Sequence, residues 1–130
     1  MTLSVPEPGK AEYRMVIRPE HLSSPGVAHG GVVAGLMDAA LGAAALTLAF
    51  TAGDLVSTVE FKINYLHPVR LGDELRAVAQ VDHAGKSLLV SSGVIYCQAT
   101  TNAADATAVA QGMGTFNRYP ASKRLGEILL

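Results

Sequence analysis

Residues 27–50 read VAHGGVVAGLMDAALGAAALTLAF, 24 residues with a single formal charge, Asp38. The stretch is long enough to cross a bilayer. Its composition argues otherwise: Gly30, Gly31, Gly35 and Gly42 interrupt it, alanines dominate it, and Asp38 lies near its centre. An aspartate at mid-bilayer costs about 2.5–3.5 kcal/mol on insertion scales. The flanks also lack basic and aromatic anchors. The reading is a helix from about Gly30 to about Phe50, apolar on nearly every face and wrapped by other structure of a soluble protein. Gly31, Ala34, Gly35, Asp38, Gly42 and Ala45 share one side at three- and four-residue spacing, where another backbone can approach closely. Ala52-Gly53-Asp54 ends the helix.

Upstream, Tyr13, Met15 and Ile17 alternate with Arg14, Val16 and Arg18, the period of a strand that Pro19 stops. His21 to His29 holds Ser23, Ser24, Pro25 and Gly26 and reads as a loop. Residues 1–10 are expected to be a flexible tail. Downstream the pattern is all strand. Val59, Phe61, Ile63 and Tyr65 alternate with Thr58, Glu60, Lys62 and Asn64. After His67-Pro68 and the turn at Leu71-Gly72-Asp73, Leu75, Ala77, Ala79 and Val81 alternate with Arg76, Val78 and Gln80. Ala84-Gly85 is a hairpin turn, and Ser87 to Ala99 is a long apolar strand with a bulge expected at Gly93. Thr100 to Asp105 is a polar loop, and Thr107 to Asn117 is the last strand. Residues 119–130 are expected to form an extension with a short helix bearing Leu125, Ile128 and Leu129 on one face. One strand, one buried helix and four antiparallel strands make an α+β domain over residues 11–118.

The length of 130 residues suits one domain. Area scaling gives roughly 6,500 Å² folded against roughly 19,600 Å² unfolded, enough burial for a core. Apolar residues are 49% of the chain and charged residues 16%, which excludes disorder and suggests that part of the surface is covered by a partner. The net charge is −1 and no basic cluster is denser than Lys123-Arg124, so nothing calls for nucleic acid. The single cysteine, Cys97, excludes an internal disulfide framework and a multi-cysteine zinc site, and reads as a core residue. The opening MTLSVPEPGK has no apolar signal-peptide segment, so a cytoplasmic address is expected.

Asp38 is the anomaly. An ionised carboxylate buried without partners is very unfavourable, and residues 27–50 hold no lysine or arginine to pair with it. It either faces a cavity or interface, or bonds to groups from elsewhere in the chain; capping a neighbouring loop and acting as a base are both open. His29-Gly30-Gly31 sits where the loop becomes the helix. Glycines there leave first-turn amides open to a ligand, and the helix dipole favours developing negative charge. Taken alone, that triplet is equally a device for tight packing. Asp38 lies eight residues beyond Gly30, about 12 Å along a helix at 1.5 Å per residue. If both groups act on one carbonyl, two copies of the chain must share the site. His21, His67 and His83 show no metal-ligand spacing, so no metal is expected.

The stretch from Ser23 to Gly42, SSPGVAHGGVVAGLMDAALG, resembles the loop and central helix of hotdog-fold acyl-CoA thioesterases. The nearest group is the phenylacetate-pathway family that includes 4-hydroxybenzoyl-CoA thioesterases. STVEFKINYLHPVRLGD from Ser57 to Asp73, AGKSL from Ala84 to Leu88 and AQGMGTF from Ala110 to Phe116 extend the resemblance over residues 11–118. It implies a hotdog fold, a long central helix wrapped by an antiparallel sheet. It implies a homo-oligomer, a dimer or dimer of dimers, with sites at the dimer interface. It also implies hydrolysis of an acyl-CoA thioester with no cofactor beyond the coenzyme A of the substrate, and no membrane partner. Asp38 matches the catalytic carboxylate, general base or nucleophile. Gly30 matches the residue whose backbone N–H polarises the carbonyl, His29 the histidine that positions the thioester, and Thr58 a hydroxyl on the strand facing the site. Many members carry asparagine six residues before that histidine; here it is Ser23, and a non-catalytic acyl-CoA binding protein is the alternative reading. Substrate contacts are expected from Gly31 at the helix start, from Met37 along the acyl chain, and from Arg70 and Lys86 at the phosphates, although both cations also read as solvated turn charges.

Overall fold

In the computed structural model, which describes residues 1–98 and 106–123, the apolar stretch forms a 20-residue helix, α1 (Gly30–Ala49). A 3₁₀ turn at Phe50–Ala52 and Gly53, at a left-handed φ of 79°, end it. The strands are β1 (Thr2–Ser4), β2 (Lys10–Val16), β3 (Leu22–Ser24), β4 (Val27–Ala28), β5 (Asp54–Tyr65), β6 (Glu74–Ala84), β7 (Leu88–Gln98) and β8 (Thr107–Pro120). Six of them make one antiparallel sheet in the order β1-β2-β6-β7-β8-β5, with β3 and β4 as a separate small hairpin. The helix lies across the sheet and packs on β2, β5, β6, β7 and β8. This is the expected α+β layout.

Period-two alternation explains which residues meet the helix. Leu75, Ala77 and Ala79 on β6, Leu89, Ser91 and Ile95 on β7, and Ala110 and Phe116 on β8 are buried beneath it. Met37, Leu41, Ala44 and Ala45 are the facing helix residues, all fully buried. Small residues set the distance between the layers. Gly93 and Gly112 are direct cross-strand partners. A Cβ at Gly112 would lie 2.6 Å from the Lys62 carbonyl oxygen and 3.2 Å from Met37 Cγ, so only glycine lets the methionine seat there.

Three bulges bend the sheet around the helix. They fall at Val59 on β5, Asp82 on β6 and Val109 on β8, where the pairing register shifts by one residue. Gly93 is not among them. It is regularly paired on both sides, and its lack of a side chain answers to Val78 O at 2.9 Å and Leu41 Cδ2 at 3.4 Å instead.

The termini also differ from expectation. Residues 1–10 are not a loose tail: Thr2–Ser4 pair with Glu12–Arg14, and the Gly9 amide donates to Thr47 Oγ1 on the helix at 3.0 Å. The last strand continues past Asn117 to Pro120, held by Arg118, whose Nε donates to Asp54 Oδ2 at 2.9 Å across the β5–β8 pair. The expected polar loop at Thr100–Asp105 and the apolar face of Leu125, Ile128 and Leu129 lie outside the described residues.

Candidate active site

The helix start is built from the loop that precedes it. Ser24-Pro25-Gly26-Val27 is a tight turn, with Pro25 presetting φ and Gly26 at a φ of +77°. It folds β3 onto β4, with Ser23 as the extra residue between the paired Leu22 and Ser24. The His21 carbonyl accepts the His29 amide at 2.7 Å, which fixes the backbone where the helix begins. His29 then acts as the N-cap: its Nδ1 accepts the Gly31 amide at 2.8 Å. Accepting through Nδ1 places the hydrogen of the neutral ring on Nε2. The two glycines answer to different demands. A Cβ at Gly31 would stand 2.9 Å from His29 Nδ1, so the cap requires glycine there. A Cβ at Gly30 would make only ordinary contacts, the nearest being the Tyr65 hydroxyl at 3.5 Å. Among the described residues the Gly30 amide has no acceptor, so it is one of the open first-turn donors that a helix start offers to an anion or a polarised carbonyl.

Asp38 sits two turns further on and is half-buried rather than enclosed. Its partner comes from β5: Thr58 Oγ1 donates to Asp38 Oδ1 at 3.1 Å. Oδ2 receives no bond from the described residues. Strict alternation groups Thr58 with Glu60 and Lys62, away from the helix. The bulge at Val59 reverses that. Thr58 pairs with buried Phe116 and faces the helix, while Glu60 pairs with Thr115 on the outer face.

Asp38 and Gly30 open into two different hollows. Asp38 and Thr58 border a cleft of about 360 Å³ with Tyr13, Gly42, Leu46 and Val56. Gly30 borders a smaller one of about 230 Å³ with Val33, Tyr65, His67 and Val69. Neither hollow contains both the carboxylate and the open amide.

The other expected residues are dispersed. Gly31 belongs to the cap. Ser23 is exposed on the β3 arm and bonds to neither His29 nor Asp38 among the described residues. Met37 does not line a cleft: it is fully buried between the helix and Gly112, because it faces the sheet while Asp38 faces outward. Arg70 and Lys86 are exposed at opposite ends of β6, Arg70 in the turn that leads in and Lys86 in the hairpin that follows. Cys97 is only partly buried; desolvation first, then the charge and hydrogen bond of Asp73, pushes its thiol above the ordinary range. Among the described residues no three His, Cys, Asp or Glu side chains gather as a metal site. Tyr65 was not singled out by the sequence reading. Its hydroxyl donates to the Gly30 carbonyl at 2.8 Å, and its inward place at the end of β5 was the signal available.

Comparison with known proteins identifies the fold and family. The profile of the thioesterase superfamily matches residues 25–104, from the turn before the helix into the second half of the sheet. Human acyl-coenzyme A thioesterase 13 is 33% identical over 115 residues, covering 88% of this chain and 77% of that protein. The PaaI protein from the phenylacetic acid degradation operon of E. coli superposes with a TM-score of 0.79 at 27% identity, over 91% of this chain and 78% of that one. A conserved protein of Pseudomonas aeruginosa superposes with a TM-score of 0.76 at 33% identity, over 90% and 86% of the two chains. The chain belongs to the thioesterase superfamily and carries its hotdog fold.

Proposed function

We propose that this thioester hydrolase cleaves acyl-CoA to free acid and coenzyme A, at a site that two copies of the chain build together. The separation of Asp38 and Gly30 into different hollows carries the shared-site reading. The long outer edge of β5 supports it. Among the described residues, the twelve residues of this edge strand have no neighbour on one side, and exposed Val59 lies in the middle of them. Such an edge is a template for a second strand, here the same strand of another copy. Leu46, which borders the Asp38 cleft, and Phe50, at the end of the helix, are both exposed and add apolar surface for a partner to cover. Two such dimers joined back to back would give the tetramer.

In this reading the Gly30 amide of one copy holds the thioester carbonyl oxygen, where negative charge grows as the carbonyl carbon becomes tetrahedral. Asp38 of the other copy removes a proton from water as its oxygen attacks that carbon, or attacks as the nucleophile itself. Thr58 occupies Oδ1 and leaves Oδ2 to take the proton. Collapse expels the sulfur as thiolate. On the general-base route it takes back the proton held by Asp38, giving coenzyme A and the free acid. On the nucleophile route it takes a proton from solvent and leaves a mixed anhydride on Asp38, which water then cleaves to the free acid and the regenerated carboxylate. The Nε2–H of His29 is the donor offered to the carbonyl; Ser23, exposed on the β3 arm, has no direct part in this step. Arg70 and Lys86, at opposite ends of β6, meet the phosphates from different copies. Close relatives named for acyl-coenzyme A thioesterase activity support this substrate class. A cytoplasmic location fits soluble acyl-CoA.

The test is complementation between two inactive variants, Asp38→Asn and Gly30→Val, unfolded together and refolded. A shared site regenerates one intact pair in each mixed dimer, so roughly a quarter of wild-type activity returns by random pairing. Sites confined to one chain return none.

A further inference from the structure

From the hydrogen-bond chain at the helix start, we infer that Tyr65 is a positioning residue that sets the tautomer and orientation of His29 through the Gly30–Gly31 peptide group. The inference rests on the thioesterase reading for its kinetic consequence, but not for its structural one. The Tyr65 hydroxyl donates to the Gly30 carbonyl at 2.8 Å, and the amide of that same peptide group, Gly31 N–H, donates to His29 Nδ1 at 2.8 Å. A peptide whose oxygen accepts a hydrogen bond becomes a better donor at its nitrogen, because each bond polarises the next. The chain therefore runs from phenol to peptide to imidazole. It ends with a ring that accepts at Nδ1 and keeps its hydrogen on Nε2.

Three further observations favour this over a plain structural contact. Tyr65 is 53% exposed, so its hydroxyl had water available and is not a buried group in need of a partner. It reaches across 35 residues of sequence to the one peptide that the His29 cap uses. The ring also lies alongside Gly30 without crowding it: a Cβ on Gly30 would meet nothing nearer than that hydroxyl, at 3.5 Å. The strand supplies the reach: Tyr65 is the last residue of β5, paired with Ala110, and the Leu66 and His67 amides both donate to the Val109 carbonyl, which pins the strand end.

The experiment uses Tyr65→Phe in the full chain, which removes the donor and keeps the ring. In ¹⁵N-labelled protein the wild type should show His29 as the Nε2–H tautomer. In the variant the Gly31 amide proton should move upfield and the His29 ring nitrogens should shift toward a tautomer mixture. Turnover should fall about fivefold to tenfold with KM changed less than about twofold, the size expected for losing one hydrogen bond that orients a polar group. In a His29→Ala background the same change should have no further effect on kcat, because the two residues act in one chain. Unchanged Gly31 and His29 signals overturn the proposal, and so does a kcat loss that adds in full to that of His29→Ala. If wild type releases no thiol from any CoA ester, the thioesterase reading falls and the resonance data alone decide whether the relay exists.

Discussion

Thr58 on strand β5 donates its hydroxyl hydrogen to Asp38 on the helix, 3.1 Å from Oδ1, twenty residues apart in the chain. The bond holds one carboxylate oxygen and leaves the other for a proton. Asp38→Asn keeps the shape and removes the proposed base, so it should lower kcat about a thousandfold or more while circular dichroism stays unchanged. Thr58→Val should cost about tenfold in kcat with KM nearly constant, and Thr58→Ser should restore most of it, since only the hydroxyl is used. Thiol release from short-chain, long-chain and aryl CoA esters reads all three variants. Full activity in folded Asp38→Asn would remove the carboxylate from the mechanism.

The two adjacent glycines should part company on substitution. Gly31→Ala places a methyl 2.9 Å from His29 Nδ1, so the ring must leave and the N-cap is lost. The stability cost is about 1 kcal/mol, in the range of other N-cap losses. Gly30→Ala meets only ordinary contacts within the chain, so its urea midpoint should stay near wild type. Its activity should fall all the same, as the methyl crowds the approach to the open amide. Equal loss of stability in both variants would refute the distinction.

Beneath the helix the tolerance is smaller. Gly112→Ala sets a methyl 2.6 Å from the Lys62 carbonyl and 3.2 Å from Met37 Cγ, and neither the paired strand nor the buried methionine can yield cheaply. A loss of about 2–3 kcal/mol in urea unfolding is expected, typical of overpacking a close-packed layer. Ser91→Ala is the counterpart. Its hydroxyl is fully buried with no partner among the described residues, so removing it should leave stability unchanged or raise it.

Cys97 gives a pH test. Burial and the neighbouring Asp73 carboxylate raise its thiol above the ordinary range. The folded chain therefore holds that proton more tightly than the unfolded chain does. Its contribution to stability is complete below the ordinary thiol range and is lost as pH rises through the raised folded value. Maleimide labelling at mildly alkaline pH should be slower in the native chain than in urea, and the urea midpoint should fall toward high pH less steeply in Cys97→Ala than in wild type. Equal labelling rates in the two states would contradict the raised thiol.

The layout was legible because its two periods are clean. Residues 30–49 show no polar face, so they had to be wrapped; the runs ending at Tyr65 and Ala84 alternate as half-buried strands do, and the run ending at Gln98 reads as a strand by its apolar length. Asp38 and His29-Gly30-Gly31 stood out for the same reason: charge and conformational freedom are anomalies in an apolar helix. What escaped is what depends on register. A one-residue bulge has no composition of its own, so Gly93 drew the expectation that Val59 fulfils. Asp38, expected to face a cavity or to bond to groups from elsewhere in the chain, does both, and only the identity of its partner, Thr58, escaped. Met37 sits one residue away and points to the opposite layer, about 100° around the helix, which is too fine a distinction for a segment with no polar face. Tyr65 was readable as a strand residue; its bond to the helix start belongs to tertiary structure alone.

The extra residue at Val59 works as a phase shift. Upstream of it the even-numbered residues Val56 and Thr58 face the helix; downstream the odd-numbered Phe61, Ile63 and Tyr65 do. One strand thus serves two masters, the carboxylate at one end and the helix start at the other, on a half-beat that a single codon supplies. Deleting that codon would keep every residue named in the chemistry. It would still turn either Thr58 or Tyr65 to the far side of the sheet, so chains of this shape that differ by one residue at this point need not share a catalytic apparatus even where their side chains match.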